Sequence, residues 1–113
     1  MRTKSKKFLI GSEIIQETVG DGIKRQILGF DGQLMLVKVI VEKGAIGYQH
    51  EHFHSQCSYI VSGKFEVTID GEMKIMQAGD SFYTEPNIRH GIVCIESGEL
   101  IDAFSPSRQD FLK

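Results

Sequence analysis

The sequence has no long apolar run and no strong excess of charge of either sign. Its 13 basic and 15 acidic residues give a formal net charge of −2, so nucleic acid is not expected as a partner. No apolar stretch approaches the roughly 20 residues that a membrane-spanning helix needs, so no membrane association is expected. The basic run RTKSKK carries no apolar core of a secretory signal, and we expect residues 1–7 to form a flexible N-terminus.

Cysteine is also scarce, since Cys57 and Cys94 are the only two. If Gln56 faces inward on a strand, Cys57 faces outward, whereas Cys94 has the same strand parity as His90. Thiols on opposite faces of a sheet cannot form a disulfide. We therefore expect two reduced thiols and a cytoplasmic protein.

The chain length of 113 residues indicates one domain over residues 1–113 with a thin core. A thin β structure has exposed sheet edges, and a small domain gains stability when such edges are covered. We therefore expect a homodimer, in which residues 8–19 pair across to the other subunit.

Twelve glycines separate short runs that are rich in β-branched and aromatic residues. The run QLMLVKVIVE predicts a strand with Met35, Val37, Val39 and Val41 on one face. Further along, turn residues predict hairpins at 62–63, 70–71 and 78–80, and HGIVCI and ELIDAF predict another hairpin around 96–98. No stretch has a sustained helical period, and SPSRQDFLK predicts a turn or two at most. The fold class is therefore all-β, either a barrel or a sandwich.

All four histidines lie within a short stretch and one later position: His50, His52, His54 and His90. On a strand, His50 and His52 project from the same face, so one cavity receives both rings. Neutral imidazole binds first-row transition metals, and His90 supplies a third ring at the head of another strand. A lone histidine is usually a hydrogen-bonded structural residue, but this clustering favours a metal site. We expect His54 to lie beside that site rather than to bind the ion.

These residues follow a known pattern. Gly44, five residues, His50-x-His52, three residues, Gln56, six residues and Gly63 resemble the first motif of the cupin family, with Gln56 where glutamate is usual. Gly79-Asp80, Pro86 and His90 resemble the second motif, although Asn87 replaces a glycine and Cys94 an asparagine. The resemblance implies a cupin barrel, also called a double-stranded β-helix or jelly roll. It also implies one divalent metal ion held by His50, His52, Gln56 and His90.

Gln56 is an uncharged ligand at this position. An amide oxygen can bind a metal but does not neutralise its charge, which favours an anionic oxygen substrate. The shell also departs from the two-histidine, one-carboxylate arrangement of non-haem iron oxygenases. The alternative is that Gln56 only hydrogen-bonds within the barrel wall.

The C-terminal stretch LIDAFSPSRQDFLK adds three candidate site residues. Strand parity puts Asp102 and Phe104 on one side, and Pro106 turns the chain so that Arg108 folds back over the barrel mouth. Arg108 would bind a carboxylate, Phe104 would pack against a sugar ring, and Asp102 would transfer protons. The alternatives are a surface ion pair of Arg108 with Asp110 or Glu99, and a solvent-facing Asp102.

Nearly the whole chain resembles the KdgF-type pectin-degradation cupins, in the segments IKRQILGFDGQLMLVKV, YIVSGKFEVTIDGE, AGDSFY and DAFSPSRQDF. The resemblance implies an enzyme, a metal-dependent isomerase that linearises 4,5-unsaturated monouronates from pectin or alginate to open-chain keto-uronates. It implies catalytic or substrate-binding roles for Asp102, Phe104 and Arg108, a small sugar acid as substrate, and Ni, Fe, Mn or Zn as the metal. The alternatives are a non-catalytic sugar-acid-binding or sensing cupin and a small iron dioxygenase.

Overall fold

The computed structural model describes residues 3–113, in which eight strands account for the regular structure apart from two short 3-10 helices. The strands are β1 Glu17–Gly20, β2 Ile23–Phe30, β3 Met35–Val41, β4 Ile46–His50, β5 Ser55–Ile69, β6 Glu72–Gln77, β7 Ser81–Thr84 and β8 His90–Ser105. The 3-10 helices are Gly11–Glu13 and Gln109–Leu112. The prediction of an all-β fold is confirmed, and so is the single helical turn at the C-terminal end.

Strand β3 illustrates how alternation produces the buried face. Met35, Val37 and Val41 are buried and Val39 is partly buried, whereas Leu36 between them is exposed. Successive side chains of a strand point to opposite faces, so one apolar set enters the core. The predicted face of β3 is therefore confirmed.

The strands join in the order β1-β2-β3-β8-β5-β6, while β4 pairs with β8 and β7 pairs with β5. The two longest strands, β5 and β8, run antiparallel from the pair Ser55–Ser105 to the pair Ile69–His90. A straight ladder from residue 56 to residue 69 would be roughly 43 Å long at about 3.3 Å per residue. The molecule measures only 35 Å along its longest axis, so the ladder is bent and its two ends approach each other.

The bend lies where the sequence predicted turns, at residues 62–63 and 96–98. Both turn predictions were wrong, because β5 and β8 each continue through these residues as single strands. The register shifts here instead, and Gly63 has a φ of 87°. A Cβ atom on Gly63 would lie 2.8 Å from the Cα atom of Gly98. The two glycines thus face each other and allow both strands to bend together at a point that any side chain would obstruct.

The other two predicted turns are confirmed. Asp70 and Gly71 connect β5 to β6 with φ values of 50° and 82°, as a two-residue hairpin with two left-handed residues requires. Residues 78–80 connect β6 to β7, and the Asp80 carboxylate accepts a hydrogen bond of 2.8 Å from the amide of Gln77.

Two apolar clusters form the core. One is centred on the C-terminal part of β5 and includes Phe65, Val67, Cys94 and Leu100. The other packs Met35 and Val37 against Phe104 and Leu112. Because Phe104 belongs to the second cluster, one wall of the candidate site is also part of the core.

The N-terminal segment packs on β2. The Ser5 amide donates to the carbonyl of Phe30 at 2.9 Å, and the Gln26 side chain donates to the carbonyls of Gly11 and Ile14. Residues 1 and 2 of the predicted flexible N-terminus lie outside the described residues, and the mobility of residues 3–7 stays a prediction.

Both cysteines are free, Cys57 at the surface and Cys94 in the core, which agrees with the predicted placement on opposite faces. Within residues 3–113, no helix has the length and apolar character needed to cross a membrane.

Candidate metal centre

Three histidines converge at one place. His50 ends β4 and His90 begins β8, and the two residues are partners in the β4–β8 ladder. The rings of His50 and His52 lie 4.5 and 4.9 Å from that of His90, measured between centroids. One ligand atom from each ring can be chosen so that all three lie within 4.8 Å of one another. These nitrogens are therefore close enough to bind a single ion.

His52 reaches this point from a loop and not from the strand that holds His50. The sequence interpretation put both residues on one strand, but β4 ends at His50 and β5 begins at Ser55. The Asn87 amide donates to the carbonyl of His52 at 2.7 Å and thereby holds the loop. Asn87 has a φ of 65°, a conformation that asparagine tolerates better than most residues, so it can replace the usual glycine.

In each of these three imidazoles, Nδ1 lies at hydrogen-bond distance from a backbone carbonyl oxygen. Nδ1 of His50 contacts the carbonyl of Tyr48 at 2.9 Å, and Nδ1 of His90 contacts that of Ile88 at 2.8 Å. Nδ1 of His52 contacts the carbonyl of His54 at 3.1 Å. A carbonyl can only accept, so each Nδ1 carries the proton and each neutral ring keeps its lone pair on Nε2. Histidines that bind metals are oriented in this way.

The surroundings of His90 show that these residues suit a metal ion. Its Nε2 is buried and has no hydrogen-bond partner among the described residues. The pKa of His90 is lowered to about 4, chiefly by burial and also by the neighbouring imidazoles, against the hydrogen bond to Ile88. A neutral, buried and unpartnered imidazole nitrogen beside two others is a suitable ligand set for a divalent transition metal.

Gln56 lies beside His52 near the start of β5. Its Oε1 lies 3.0 Å from Nε2 of His52. Both nitrogens of His52 thus face oxygen acceptors, yet a neutral ring carries one proton. Burial lowers the pKa of His52, although its contact with Gln56 opposes this shift. A cation between Nε2 and Oε1 would satisfy both lone pairs.

A hydrogen-bonded chain leads from Gln56 to Asp102. Nε2 of Gln56 donates to Oγ of Ser58 at 3.0 Å, and Oγ of Ser58 donates to the Asp102 carboxylate at 2.6 Å. Burial raises the pKa of Asp102 to about 6, while the hydrogen bond from Ser58 and the charge of Arg108 act in the opposite direction. The alternative of a solvent-facing Asp102 is wrong, because this carboxylate lines the cavity.

Arg108 lies over the aromatic wall. Its guanidinium carbon is 4.3 Å from the ring centroid of Phe111 and 5.1 Å from that of Phe104. Its Nε and Nη2 donate to the two oxygens of Asp110 at 3.1 and 2.9 Å. The ion pair with Asp110 that the sequence offered as an alternative is therefore present, and Arg108 lines the cavity as well.

The cavity has a volume of about 170 Å³. Its polar lining consists of His50, Gln56, His90, Asp102 and Arg108. Apolar side chains, among them Phe82, Phe104 and Phe111, form the rest of the wall. A few polar groups that converge in an apolar cavity are typical of a small-molecule site.

A larger groove of about 470 Å³ lies beside Phe82 and is lined by residues of β5, β6 and β7. It contains none of the histidines, and two of its charged residues, Glu72 and Lys74, lie on the exposed strand β6. We therefore take the smaller cavity as the candidate site.

His54 lies outside the group of three histidines. Its ring is buried and stacks on Phe53 at 4.0 Å between centroids. Sequence reasoning missed two side chains that hold the site, Ser58 and Phe111. Ser58 has the same strand parity as Gln56, which was a usable signal, whereas a 3-10 helix after Pro106 gave no basis for expecting Phe111 beside Arg108.

Comparison with known proteins identifies the family. The family model of the cupin domain matches residues 37–103. The chain is 46% identical over 109 residues to the pectin degradation protein KdgF of Dickeya dadantii, which covers 95% of this chain and 99% of that protein.

Two solved structures agree with this assignment. An RmlC-like cupin from Shewanella frigidimarina is 50% identical, with a TM-score of 0.95 over 97% of this chain and 99% of that one. KdgF from Halomonas sp. is 38% identical, with a TM-score of 0.90 over 95% of this chain and 99% of that one. The chain therefore belongs to the cupin family and is a homologue of KdgF.

Proposed function

We propose that this cupin is a metal-dependent isomerase that converts cyclic 4,5-unsaturated monouronates into open-chain keto-uronates during pectin or alginate degradation. One observation carries the proposal: a single cavity is lined by two members of the histidine group, His50 and His90, together with a carboxylate, a guanidinium and an aromatic wall. The similarity to KdgF supports an enzyme role in pectin degradation.

His50, His52, Gln56 and His90 are the proposed ligands of one divalent ion, which is Ni, Fe, Mn or Zn. When bound, such an ion supplies positive charge that stabilises an oxyanion. The three imidazoles and the amide are all neutral, so they leave that charge available to an anionic substrate.

Arg108 is the proposed binding group for the substrate carboxylate. Asp110 occupies the edge of the guanidinium formed by Nε and Nη2, which leaves Nη1 and the second N–H of Nη2 for a bidentate contact. Phe104 packs against the sugar ring from the apolar wall. A cavity of about 170 Å³ suits a single sugar unit better than a polymer.

Asp102 is the proposed proton-transfer group. Ring opening removes the proton of the anomeric hydroxyl and breaks the bond between the anomeric carbon and the ring oxygen. An aldehyde forms, and the electron pair stays on the ring oxygen as an enolate. A proton then adds to C4 and gives the ketone. One proton leaves and one is added, so the reaction is an isomerisation that needs no oxidant, and Asp102 moves these protons.

The test is the loss of ultraviolet absorbance from the double bond of an unsaturated monouronate, measured against the uncatalysed ring opening. Asp102→Asn should retain the metal and bind substrate, but its kcat should fall by roughly 10²–10⁴-fold. Arg108→Ala should mainly raise KM. A metal-loaded wild-type protein that does not accelerate the loss would reject the isomerase.

The same assay separates the alternatives. Oxygen consumption with the uronate would support an iron dioxygenase, and binding without turnover would support a sugar-acid-binding or sensing cupin. Equal rates for the wild type and Asp102→Asn would reject only the role of Asp102.

We also propose that residues 1–113 form one domain, that the protein is cytoplasmic, and that it is a homodimer. Two free thiols support a reducing compartment.

Leu36, Tyr59 and Tyr83 are 38%, 49% and 57% exposed on the outer face of β3, β5 and β7, which offers an apolar surface to a second copy. Strand β1, which contains part of the 8–19 segment, pairs with β2 of its own chain, and no other strand among residues 3–113 pairs with its second edge. Light scattering that finds only monomer at micromolar concentration would reject the dimer.

A further inference from the structure

Ser58 lies between the amide of Gln56 and the carboxylate of Asp102. It is 1% exposed, and Gln56 is 7% exposed, so little water is available to replace the bonds between them. In the ladders, Ser58 pairs with Asp102 on one side and with Phe82 on the other. The hydroxyl is thus held between a polar neighbour on β8 and an apolar neighbour on β7.

The number of protons available between Gln56, Ser58 and Asp102 determines how the side-chain amide of Gln56 is oriented. The hydroxyl of Ser58 has one proton, which it donates to the Asp102 carboxylate at 2.6 Å. An ionised carboxylate only accepts, so this proton cannot also be given to Gln56. The amide group that lies 3.0 Å from Ser58 must therefore be the NH₂. Oε1 of Gln56 is left on the opposite side, towards His52.

We propose that Ser58 is a positioning residue that determines which end of the Gln56 amide faces the metal centre. The inference rests on the proposed role of Gln56 as a ligand. Only the oxygen of an amide binds a metal, because its nitrogen has no available lone pair. A glutamine ligand therefore needs a neighbour that distinguishes its two ends, whereas a glutamate presents oxygen either way.

Without the hydroxyl, the opposite orientation becomes favourable. The NH₂ of Gln56 can then donate to the lone pair on Nε2 of His52, which in the native arrangement faces Oε1 at 3.0 Å. Metal binding has to break that hydrogen bond and turn the amide back. Ser58→Ala should therefore weaken metal binding by roughly tenfold, the equivalent of about one net hydrogen bond.

The test is a double-mutant cycle in which Zn²⁺ or Ni²⁺ is titrated into chelator-stripped protein in competition with a chromophoric chelator. Dissociation constants are measured for Ser58→Ala alone, Gln56→Glu alone and the two combined. With glutamine at position 56, Ser58→Ala should cost roughly tenfold; with glutamate it should cost less than about threefold. Ser58→Thr, which keeps the hydroxyl, should restore affinity to near the wild-type value.

Thr84→Val is the matched control. Thr84 pairs with Gln56 in the β5–β7 ladder and is fully buried, and its hydroxyl has no hydrogen-bond partner among the described residues. Its removal should leave metal affinity unchanged. If Ser58→Ala costs the same with glutamine and with glutamate, its effect is structural and the inference is wrong.

The remaining outcomes separate this inference from the proposed function. An unchanged affinity in Gln56→Ala would remove Gln56 from the ligand set and overturn the inference. A wild-type protein that binds metal without turning over the uronate would overturn the isomerase alone, because the dissociation constants are measured without turnover.

Discussion

Strands β5 and β8 bury different chemistry on the two sides of their bend. On one side, Phe65 and Val67 of β5 face Cys94 of β8 in an apolar cluster. On the other side, Gln56 and Ser58 are just as deeply buried but form hydrogen bonds. The same alternation of side chains operates along the whole ladder, and only the identity of the inward residues changes.

The difference matters because the two halves depend on burial in opposite ways. Each large apolar side chain in the first half stabilises the fold by about 1.5–3 kcal/mol when it is buried. Polar groups in the second half lose hydration on burial and need partners to offset that loss. Ser58 is satisfied by Asp102, whereas Oε1 of Gln56 faces Nε2 of His52, which in a neutral ring protonated at Nδ1 has a lone pair and no proton to donate. The apolar half therefore supports the fold, and the polar half is left dependent on a ligand.

Disrupting the bend that joins the two halves should have the largest effect on the free energy of unfolding. A side chain at Gly98 would collide with the backbone carbonyl of Ser62. Gly98→Ala should therefore lower the free energy of unfolding by about 4 kcal/mol or more, as measured by urea denaturation. Gly71→Ala is the control, because Gly71 has a φ of 82° but a Cβ added there would meet no atom of residues 3–113 within 4 Å; its cost should be about 1 kcal/mol. Equal costs would show that the bend does not need a close approach.

Truncating the apolar half should reduce stability. Phe65 is fully buried, so Phe65→Ala should cost about 3–5 kcal/mol in urea denaturation. The affinity of the remaining folded protein for metal should be close to that of the wild type, because Phe65 contributes nothing to the histidine group. A large loss of metal affinity in the folded fraction would contradict the division between the two halves.

Removing the ion should act on the metal centre and leave the apolar cluster around Phe65 in place. An ion that binds only the native state at a hundredfold excess over its Kd stabilises it by about 3 kcal/mol. For a domain of this size, chelation should then lower the Tm by roughly 10 °C. His52→Ala should abolish both the bound metal and this sensitivity, whereas Phe65→Ala should keep the sensitivity at a lower Tm. Full metal loading in His52→Ala would exclude this site.

The smallest effect is expected at the edge of the cavity. Asp110 holds Arg108 through two hydrogen bonds, and Arg108 lowers the pKa of Asp110 chiefly through them. Asp110→Asn should raise the KM of the uronate about two- to tenfold with little change in kcat, because an exposed ion pair contributes about 1 kcal/mol or less. Asp80→Asn, a remote change of the same kind, should leave KM unaffected. A fall in kcat alone would contradict a role in substrate binding.

Alternation and histidine spacing predicted much of this from the sequence. The buried face of β3 followed from Met35, Val37 and Val41, and the imidazole group followed from His50, His52 and His90. Strand parity also predicted an inward Gln56 beside an outward Cys57, which burial confirms. The two alternation patterns depend on local geometry, so a single segment contains the information, whereas the histidine group was predicted from the clustering of the four histidines of the chain.

The errors concern features that depend on two segments at once. Gly63 and Gly98 each look like a turn residue when read alone, and only their opposition across the ladder turns them into a bend. In the same way, the contact of Ser58 with Asp102 requires the register of β5 against β8. Single-sequence patterns carry no information about register between distant strands.

The bend also determines when the metal centre can exist during folding. Gln56 and His90 lie near opposite ends of one ladder, since Gln56 pairs with Phe104 and His90 with Ile69. Neither half of that ladder contains a complete set of ligands. A chain in which only one half of the ladder has paired therefore offers the ion a few separate imidazoles. High affinity is therefore expected only after β8 has paired with both β4 and β5, and such non-local pairing is the slow step for a β fold. An ion bound at this point stabilises the native state more than the transition state, so it slows unfolding and leaves the folding rate nearly unchanged.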